Sequence, residues 1–269
     1  MAPDPVVGDL LLVDDADGVR TVALNRPDAK NAMTQAMRTR LCDLLSDAER
    51  DASVRVVIVT ATDPVFTAGV DFKEVSSGAM TSPDGSGRTW NAYDAQFANN
   101  PGKALRAMSK PVIAAVNGAC VSGGLEIALS CSFVVASERA RFADTHARLG
   151  VVATWGLTAL LPRAVGIRKA REMSVTGAFV DAPEALRLGL VNHVVPHDDL
   201  LGFARSLAAQ VPDLPSVAET LLLYERGQTL SLADALALEA QHTVRRSFDA
   251  KAFGERGRET AARNTTPGG

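Results

Sequence analysis

The sequence has few cysteines, no long apolar run and no excess of positive charge, and each absence excludes a class of protein. The three cysteines, Cys42, Cys120 and Cys131, form no Cys-x-x-Cys pair, which argues against a disulfide framework and a zinc site. We interpret them as small apolar side chains. Because no stretch of about eighteen apolar residues occurs, no membrane-spanning helix is expected.

The charge pattern and the missing motifs narrow the choice further. The formal net charge is -3 and no long basic run occurs, so neither nucleic acid nor an anionic membrane is an expected partner. The first five residues lack the basic and apolar regions of a signal peptide, and we expect a cytoplasmic protein. Neither Gly-x-x-x-x-Gly-Lys-Ser/Thr nor Gly-x-Gly-x-x-Gly occurs, so no nucleotide cofactor is indicated.

No metal site is predicted either. His193 and His197 are four residues apart, but the Val-Val-Pro between them is not helical. The two imidazoles therefore do not share a helix face, as a metal-binding pair would.

The composition fits a globular protein with a large core. Of 269 residues, 46% are hydrophobic and 22% charged. Short β-branched runs alternate with helical patterns up to about residue 195, and helix formers dominate beyond Pro196. We predict a mixed α/β region over residues 1–195 and a helical region over residues 196–269.

Local patterns predict several elements. Residues 10–13 and 19–24 flank a turn at 14–18 and are expected to form a hairpin. A helix is expected from Thr34, and residues 54–60 are typical of a strand buried on both faces of a parallel sheet.

Four later segments also carry predictions. A loop is predicted over residues 63–73 and another over 76–87, followed by a helix over 90–108. Capping signatures at Ser216 and Ser231 each predict a helix start.

The segment 110–131 is the centre of the prediction. Val112–Val116 is a short apolar run typical of a buried strand, and a buried helix begins after Ser122-Gly123-Gly124. Free N–H groups at a helix start can hold developing negative charge, and Glu126 lies in that first turn. This arrangement favours acid/base chemistry on a substrate that becomes anionic, although Glu in a first turn is also a common dipole partner and Gly-Gly a common turn.

The same segment allows a second interpretation. Residues 120–124, Cys-Val-Ser-Gly-Gly, are similar to a Gly-x-Ser-x-Gly nucleophile elbow with Ser122 as nucleophile. The first glycine is missing, and Asp144 and His146 are too close in sequence for the usual triad, so capping of the following helix is the better interpretation of Ser122.

Four motifs in order resemble the enoyl-CoA hydratase (crotonase) family, and the resemblance covers about residues 8–258. They are Leu-Asn-Arg-Pro at 24–27 with Lys-Asn-Ala at 30–32, Val-Phe-Thr-Ala-Gly-Val-Asp at 65–71, the segment 110–118 with Gly-Gly-Leu-Glu at 123–126, and 176–191, which begins Thr-Gly and ends Gly-Leu-Val. The resemblance implies an α/β spiral of β-β-α turns followed by helices at 196–269 that assemble a homotrimer or a dimer of trimers.

The resemblance also implies a site for an acyl-CoA thioester. Two backbone N–H groups, assigned to Ala68 and Gly123, would form an oxyanion hole for the thioester enolate. The loop at Ala68, Gly69, Val70 and Asp71 would contact the substrate. Lys30 is a candidate partner of the CoA phosphates, or equally a solvated surface charge. Coenzyme A would be part of the substrate, with no other cofactor.

The chain departs from the family at two places. Hydratases place two glutamates at the reacting bond; the first corresponds to Glu126, but the second falls at His146. Residues 153–156, Ala-Thr-Trp-Gly, replace a Pro-Gly-x-Gly run. Imidazole titrates near neutral pH and can transfer a proton, so His146 is a candidate catalytic residue, with Asp144 as an alternative acid.

From these features the expected function is addition of water to the 2,3-double bond of an enoyl-CoA. Enoyl-CoA isomerase, acyl-CoA hydrolase and decarboxylase activities remain alternatives, because one oxyanion hole serves all of them. Non-catalytic acyl-CoA binding also remains open, since the second glutamate is missing.

Overall fold

The computed structural model describes residues 10–76, 99–244 and 249–264. Internal contacts divide the chain into two compact units, Met1–Leu221 and Leu222–Gly269. The first unit is mixed α/β, which confirms the predicted fold class, and the described part of the second is helical. The predicted boundary at residue 195 stays a prediction. The helix that follows it, Leu200–Gln210, packs in the first unit against the sheet.

A six-stranded sheet forms the centre of the first unit. Its order is β1-β2-β3-β5-β7-β10, with β1 and β2 antiparallel and every other pair parallel. The predicted hairpin and the predicted buried parallel strand are confirmed. The strands are β1 Leu11–Ala16, β2 Val19–Leu24, β3 Val56–Ala61, β5 Val112–Val116, β7 Phe133–Ser137 and β10 His193–Val195.

A second sheet has the order β4-β6-β8-β9. β6 lies parallel to both β4 and β8, and β9 is antiparallel to β8. Along the chain, β3, β5 and β7 are each followed by a strand of this second sheet, so the backbone winds as a spiral of paired strands. The strands are β4 Val65–Thr67, β6 Ala119–Val121, β8 Arg141–Ala143 and β9 Val180–Asp181.

Helices cover the sheets and form the described part of the second unit. Apolar side chains at helical spacing explain the first one, whose residues Met37, Leu41 and Leu45 are buried. Numbered along the described chain, the helices are α1 Gln35–Arg50, α2 Phe72–Ser76, α3 Pro101–Arg106, α4 Gly123–Ser130, α5 Leu157–Val165, α6 Ile167–Thr176, α7 Ala182–Leu188, α8 Leu200–Gln210, α9 Pro215–Gly227, α10 Leu232–Val244 and α11 Ala250–Asn264.

Several predictions of local structure can be compared with these elements. The segment 63–73, expected to be a loop, contains β4 and the start of α2. The Ser231 hydroxyl accepts the N–H of Asp234 at a helix start as predicted, whereas Ser216 lies inside α9 and not ahead of it. The predicted loop 76–87 and the first part of the predicted helix 90–108 lie outside the described residues, apart from Ser76, which ends α2.

Candidate active site

Three loops meet at one end of the second sheet. Because β4, β6 and β8 run parallel, their carboxyl ends lie at the same edge. The loops that follow them begin at Ala68, at Ser122 and at Asp144. The fold thus brings together the three segments that carry the predicted site residues.

Glu126 is the buried carboxylate of this site. It lies in the first turn of α4 and is 1% exposed. Its Oε1 accepts the N–H groups of Trp155 at 2.6 Å and Leu157 at 3.2 Å. Burial raises the pKa of Glu126, and the two amides and His146 only partly oppose this rise. With Oε1 occupied, Oε2 is the oxygen available to a reactant.

His146 lies between two carboxylates. Its Nε2 is 3.7 Å from Oε2 of Glu126, and its Nδ1 is 2.6 Å from Oδ1 of Asp144. The backbone N–H of His146 also donates to that Asp144 oxygen, at 3.1 Å. The structure therefore brings Glu126 and His146 together, and it turns Asp144 toward the imidazole.

In the loop after β4, three of the four N–H groups of residues 68–71 donate to acceptors in the described chain, and that of Val70 does not. The Ala68 N–H donates to the Lys30 carbonyl oxygen at 3.0 Å, and the Gly69 N–H donates to Thr67 Oγ1 at 3.1 Å. Within the described chain, the Val70 N–H has no protein acceptor. The Ala68 amide that the sequence analysis assigned to the oxyanion is thus already bonded, and the amide of this loop without an acceptor among the described residues belongs to Val70.

A short parallel bridge explains this pattern. The Met33 N–H donates to the Gly69 carbonyl, and the Asp71 N–H donates to the Met33 carbonyl. In an extended segment successive N–H groups point to opposite sides, so the Val70 N–H between them points away from Met33. The neighbouring Gly69 has φ +95°, and a Cβ on it would lie 3.3 Å from the Gly123 nitrogen. The Val70 peptide therefore lies beside Gly123.

Gly123 begins α4, and its N–H has no acceptor among the described residues. It also has no room for a side chain, because a Cβ there would lie 2.9 Å from Cζ3 of Trp155. That indole is buried and lies against Gly123 on one side of the candidate site. Trp155 thus contacts Gly123 with its side chain and Glu126 with its backbone N–H.

Ser122 has a role that the sequence analysis did not predict. Its side chain makes no helix-capping hydrogen bond. Instead, its Oγ accepts the Thr145 N–H at 3.0 Å and lies 2.8 Å from Thr145 Oγ1. The hydroxyl therefore joins the start of α4 to the loop that carries His146. The imidazole is bonded to Asp144, so the nucleophile-elbow interpretation of Ser122 gains no support.

Two other predicted substrate contacts have different environments. Lys30 is exposed in a turn with φ +55°, and its carbonyl anchors the Ala68 amide. Asp71 is buried and pairs with Arg26, and its Oδ1 accepts the N–H groups of Lys73 and Glu74 at the start of α2. These bonds outweigh burial and hold the Asp71 pKa below its ordinary value. The Asp71 carboxylate thus stabilises the shape of the loop.

The remaining candidates lie elsewhere. His197 bonds to Ser137 Oγ and to Asp63 Oδ2, each at 3.0 Å, and His193 packs edge-on against Phe203. Among the residues that the structure describes, no cluster of three His, Cys, Asp or Glu side chains could hold a metal ion. No helix in the described ranges is both long and apolar enough to cross a bilayer.

Sequence reasoning missed the Val70 amide and the bonds made by Asp144. Local sequence could not have selected Val70 over Ala68, because N–H groups two residues apart point to the same side of an extended segment and the choice depends on the partner segment. The spacing Asp-x-His offered a weak signal for Asp144, because side-chain direction in a loop does not follow from spacing.

Comparison with known proteins agrees with this architecture. The sequence model of the family described as enoyl-CoA hydratase/isomerase matches residues 14–260. A short-chain-enoyl-CoA hydratase from Clostridium acetobutylicum is 34% identical over 248 residues, which cover 91% of this chain and 88% of the relative.

Two solved structures are similar over most of the chain. An enoyl-CoA hydratase from Mycobacterium tuberculosis H37Rv is 46% identical with a TM-score of 0.71, covering 87% of this chain and 97% of that one. A monofunctional enoyl-CoA isomerase from Mycobacterium smegmatis is 35% identical with a TM-score of 0.70, covering 85% and 98%. The spiral fold expected from the sequence is the fold of these relatives. On these matches and on its fold, the chain belongs to the enoyl-CoA hydratase/isomerase family.

Proposed function

We propose that this protein is an enoyl-CoA hydratase that adds water across the 2,3-double bond of an acyl-CoA thioester. The observation that carries the proposal is the position of Oε2 of Glu126 opposite Nε2 of His146. The same site holds the Val70 and Gly123 amides, which have no acceptor among the described residues. One pair supplies proton transfer, and the other stabilises an oxygen anion.

The thioester oxygen would lie between the Val70 and Gly123 N–H groups, which polarise the conjugated double bond. Glu126 takes a proton from water through Oε2, and the hydroxide oxygen forms a bond to C3. The π electrons of the C2=C3 bond move toward the thioester oxygen, which becomes an enolate oxyanion. Each amide donor of this kind contributes about 3 kcal/mol to lowering the barrier.

The second step returns the electrons to carbon. His146 donates the proton of Nε2 to C2 as the enolate collapses to the thioester. Glu126 then holds the proton taken from water and the imidazole is neutral, so one proton transfer from Oε2 to Nε2 restores both groups. The 3.7 Å between these two atoms is short enough for that transfer after a small movement or through one water.

Substrate binding and assembly complete the proposal. Lys30, exposed beside the loop after β4, would bind CoA phosphates.

Water addition neither oxidises nor reduces the substrate, so the reaction needs no redox cofactor. Exposed leucines on and between the C-terminal helices, including Leu222, Leu230 and Leu236, favour self-association, for which the family resemblance implies a trimer or a dimer of trimers. A monomeric mass in solution at micromolar protein concentration would contradict this assembly.

A direct assay tests the reaction. The chain is mixed with 2-enoyl-CoA thioesters of several lengths, and we expect loss of the conjugated absorbance together with a product heavier by one water. Absence of both at every chain length would overturn the proposal.

Isomerisation of the double bond is a second candidate. The observation that favours it is the lack of a second carboxylate at His146, since moving a double bond needs one group to shuttle a proton. The similarity to the isomerase from Mycobacterium smegmatis agrees with it. The same assay with a 3-enoyl-CoA separates the two, because an isomerase creates conjugated absorbance without a change of mass.

A further inference from the structure

Asp144 follows β8 and is 3% exposed, and its Oδ1 accepts two hydrogen bonds from one residue. These come from the backbone N–H of His146 at 3.1 Å and from Nδ1 of its ring at 2.6 Å. A carboxylate that holds both the backbone and the ring of the same histidine restricts the ring to one orientation.

The Asp144 carboxylate also determines which ring nitrogen carries a proton. Burial alone would raise the pKa of Asp144, but hydrogen bonds from the His146 ring, the Ser174 side chain and the His146 backbone hold it below its ordinary value. An ionised carboxylate only accepts hydrogen bonds, so Nδ1 of His146 must carry its proton. Nε2 is then the nitrogen that can gain or lose a proton, and it faces Glu126.

The loop itself is fixed on both sides of this contact. The Thr145 N–H, between the two residues, donates to Ser122 Oγ, and the Ser122 N–H donates to the Ala143 carbonyl. The backbone around Asp144 is therefore held in place on both sides, which restricts where its carboxylate can lie. A rigid partner of this kind orients a proton-transfer group better than a mobile one.

We propose that Asp144 is a positioning residue that fixes the tautomer and the orientation of His146, so that Nε2 exchanges its proton with Glu126 and the substrate. The inference rests on the proposed hydration. In this arrangement Glu126, His146 and Asp144 act together, where hydratases use two opposed glutamates. Asp144 touches no substrate in this arrangement and acts only through His146.

The tautomer gives a test that does not depend on activity. Histidine ring nitrogens are labelled with nitrogen-15, and the His146 signals are assigned by their absence in His146→Ala. In the parent we expect a protonated Nδ1. In Asp144→Asn the amide can donate to Nδ1, so we expect the proton on Nε2. Unchanged ring signals in Asp144→Asn would overturn the proposal whether or not the protein hydrates enoyl-CoA.

Kinetics give the second test. Asp144→Asn should lower kcat by about 10² to 10³ with KM little changed, because a wrongly oriented tautomer still allows binding. The double variant Asp144→Asn/His146→Ala should be no slower than His146→Ala alone, since the aspartate acts through the histidine. A double variant slower by the full Asp144→Asn factor would assign Asp144 an independent role and overturn the proposal.

A matched control is available in the same chain. Asp63 also accepts a hydrogen bond from a histidine, His197, at 3.0 Å, but outside the candidate site. Asp63→Asn should keep the parental rate and the parental His146 signals. Glu126→Gln separates the two claims: if it abolishes hydration while Asp144→Asn and His146→Ala are both silent, the proposed function stands and the positioning role fails.

Discussion

The candidate site has one half built from backbone and one half built from side chains. The amides of Val70 and Gly123 are oriented by a parallel bridge and by a helix start, and only backbone atoms of these two residues would donate. The cluster of Glu126, His146 and Asp144 depends on the identity of all three residues. The first half can therefore persist while the second changes.

This difference explains how one family contains different reactions. Stabilising an enolate is common to hydration and isomerisation, and the backbone supplies it. Where protons are taken and delivered depends on side chains, which a single substitution can alter. The replacement of a glutamate by His146 changes only the side-chain half, and experiments on the two halves should give separable results.

The largest effect is expected from the carboxylate. Glu126→Gln should lower kcat by about 10³ to 10⁴, because the amide keeps an oxygen for the Trp155 and Leu157 N–H groups but loses the base. Titration with a non-reactive CoA thioester should give nearly parental affinity. A parental rate with crotonyl-CoA would mean that Glu126 serves only as a helix-dipole partner.

His146 should come next in effect. His146→Ala is expected to reduce kcat by about 10² to 10³ through loss of the proton donor to C2. His146→Glu restores the pair of glutamates typical of hydratases and should be faster than His146→Ala on the same substrate. If His146→Ala is silent and His146→Glu exceeds the parent, the histidine is a spectator.

The backbone half can be tested by replacing single amides with esters. An ester in place of the Val70 N–H should cost about 10² in kcat by removing one oxyanion donor. The same change at Ala68 is the control, since that amide bonds the Lys30 carbonyl, and it should affect stability more than rate. A larger loss of kcat for the ester at Ala68 than for the ester at Val70 would mean that the Ala68 N–H is the oxyanion donor.

The pH dependence of the rate tests the side-chain half of the site, because that half ionises and the backbone half does not. The raised pKa of Glu126 means that it is protonated, and inactive as a base, at a higher pH than an ordinary glutamate. Activity should therefore fall on acidification before the ordinary glutamate pKa is reached, by about tenfold per pH unit. The residual rate of Glu126→Gln should lack this decline, and a parent rate that stays flat to the ordinary pKa would contradict the assignment.

The smallest effect is expected where the two halves are joined. Ser122→Ala removes the acceptor of the Thr145 N–H and should lower the free energy of unfolding by about 1 to 2 kcal/mol. Ser122→Gly loses the same bond but relieves the strain of a φ of +49°, so it should be less destabilising than alanine. Denaturant melts of the three proteins measure both differences, and equal losses would show that the strain is negligible.

Most of the fold could be predicted because periodicity reports burial. The hairpin, α1 and the central strand lie close to where the patterns put them. The second sheet was harder to predict because β4, β6 and β8 have three residues each, too few for a period.

The candidate site, like the fold, could be predicted from the sequence only in part. Glu126, Gly123 and His146 followed from motif order. The choice between the Ala68 and Val70 amides required the partner strand, and the Asp144 contact required the loop conformation. Contacts between residues that are far apart in the sequence produce no local sequence pattern, so they cannot be predicted from one.

The contact between Gly123 and Trp155 limits the order in which substitutions can accumulate. A methyl group at position 123 would meet the indole, so Gly123→Ala is expected to be harmful while Trp155 is present. A smaller residue at 155 removes that obstacle, and the same methyl group could then be tolerated. The two positions are thus a case of historical contingency, in which the tryptophan must be lost before the glycine is free to vary.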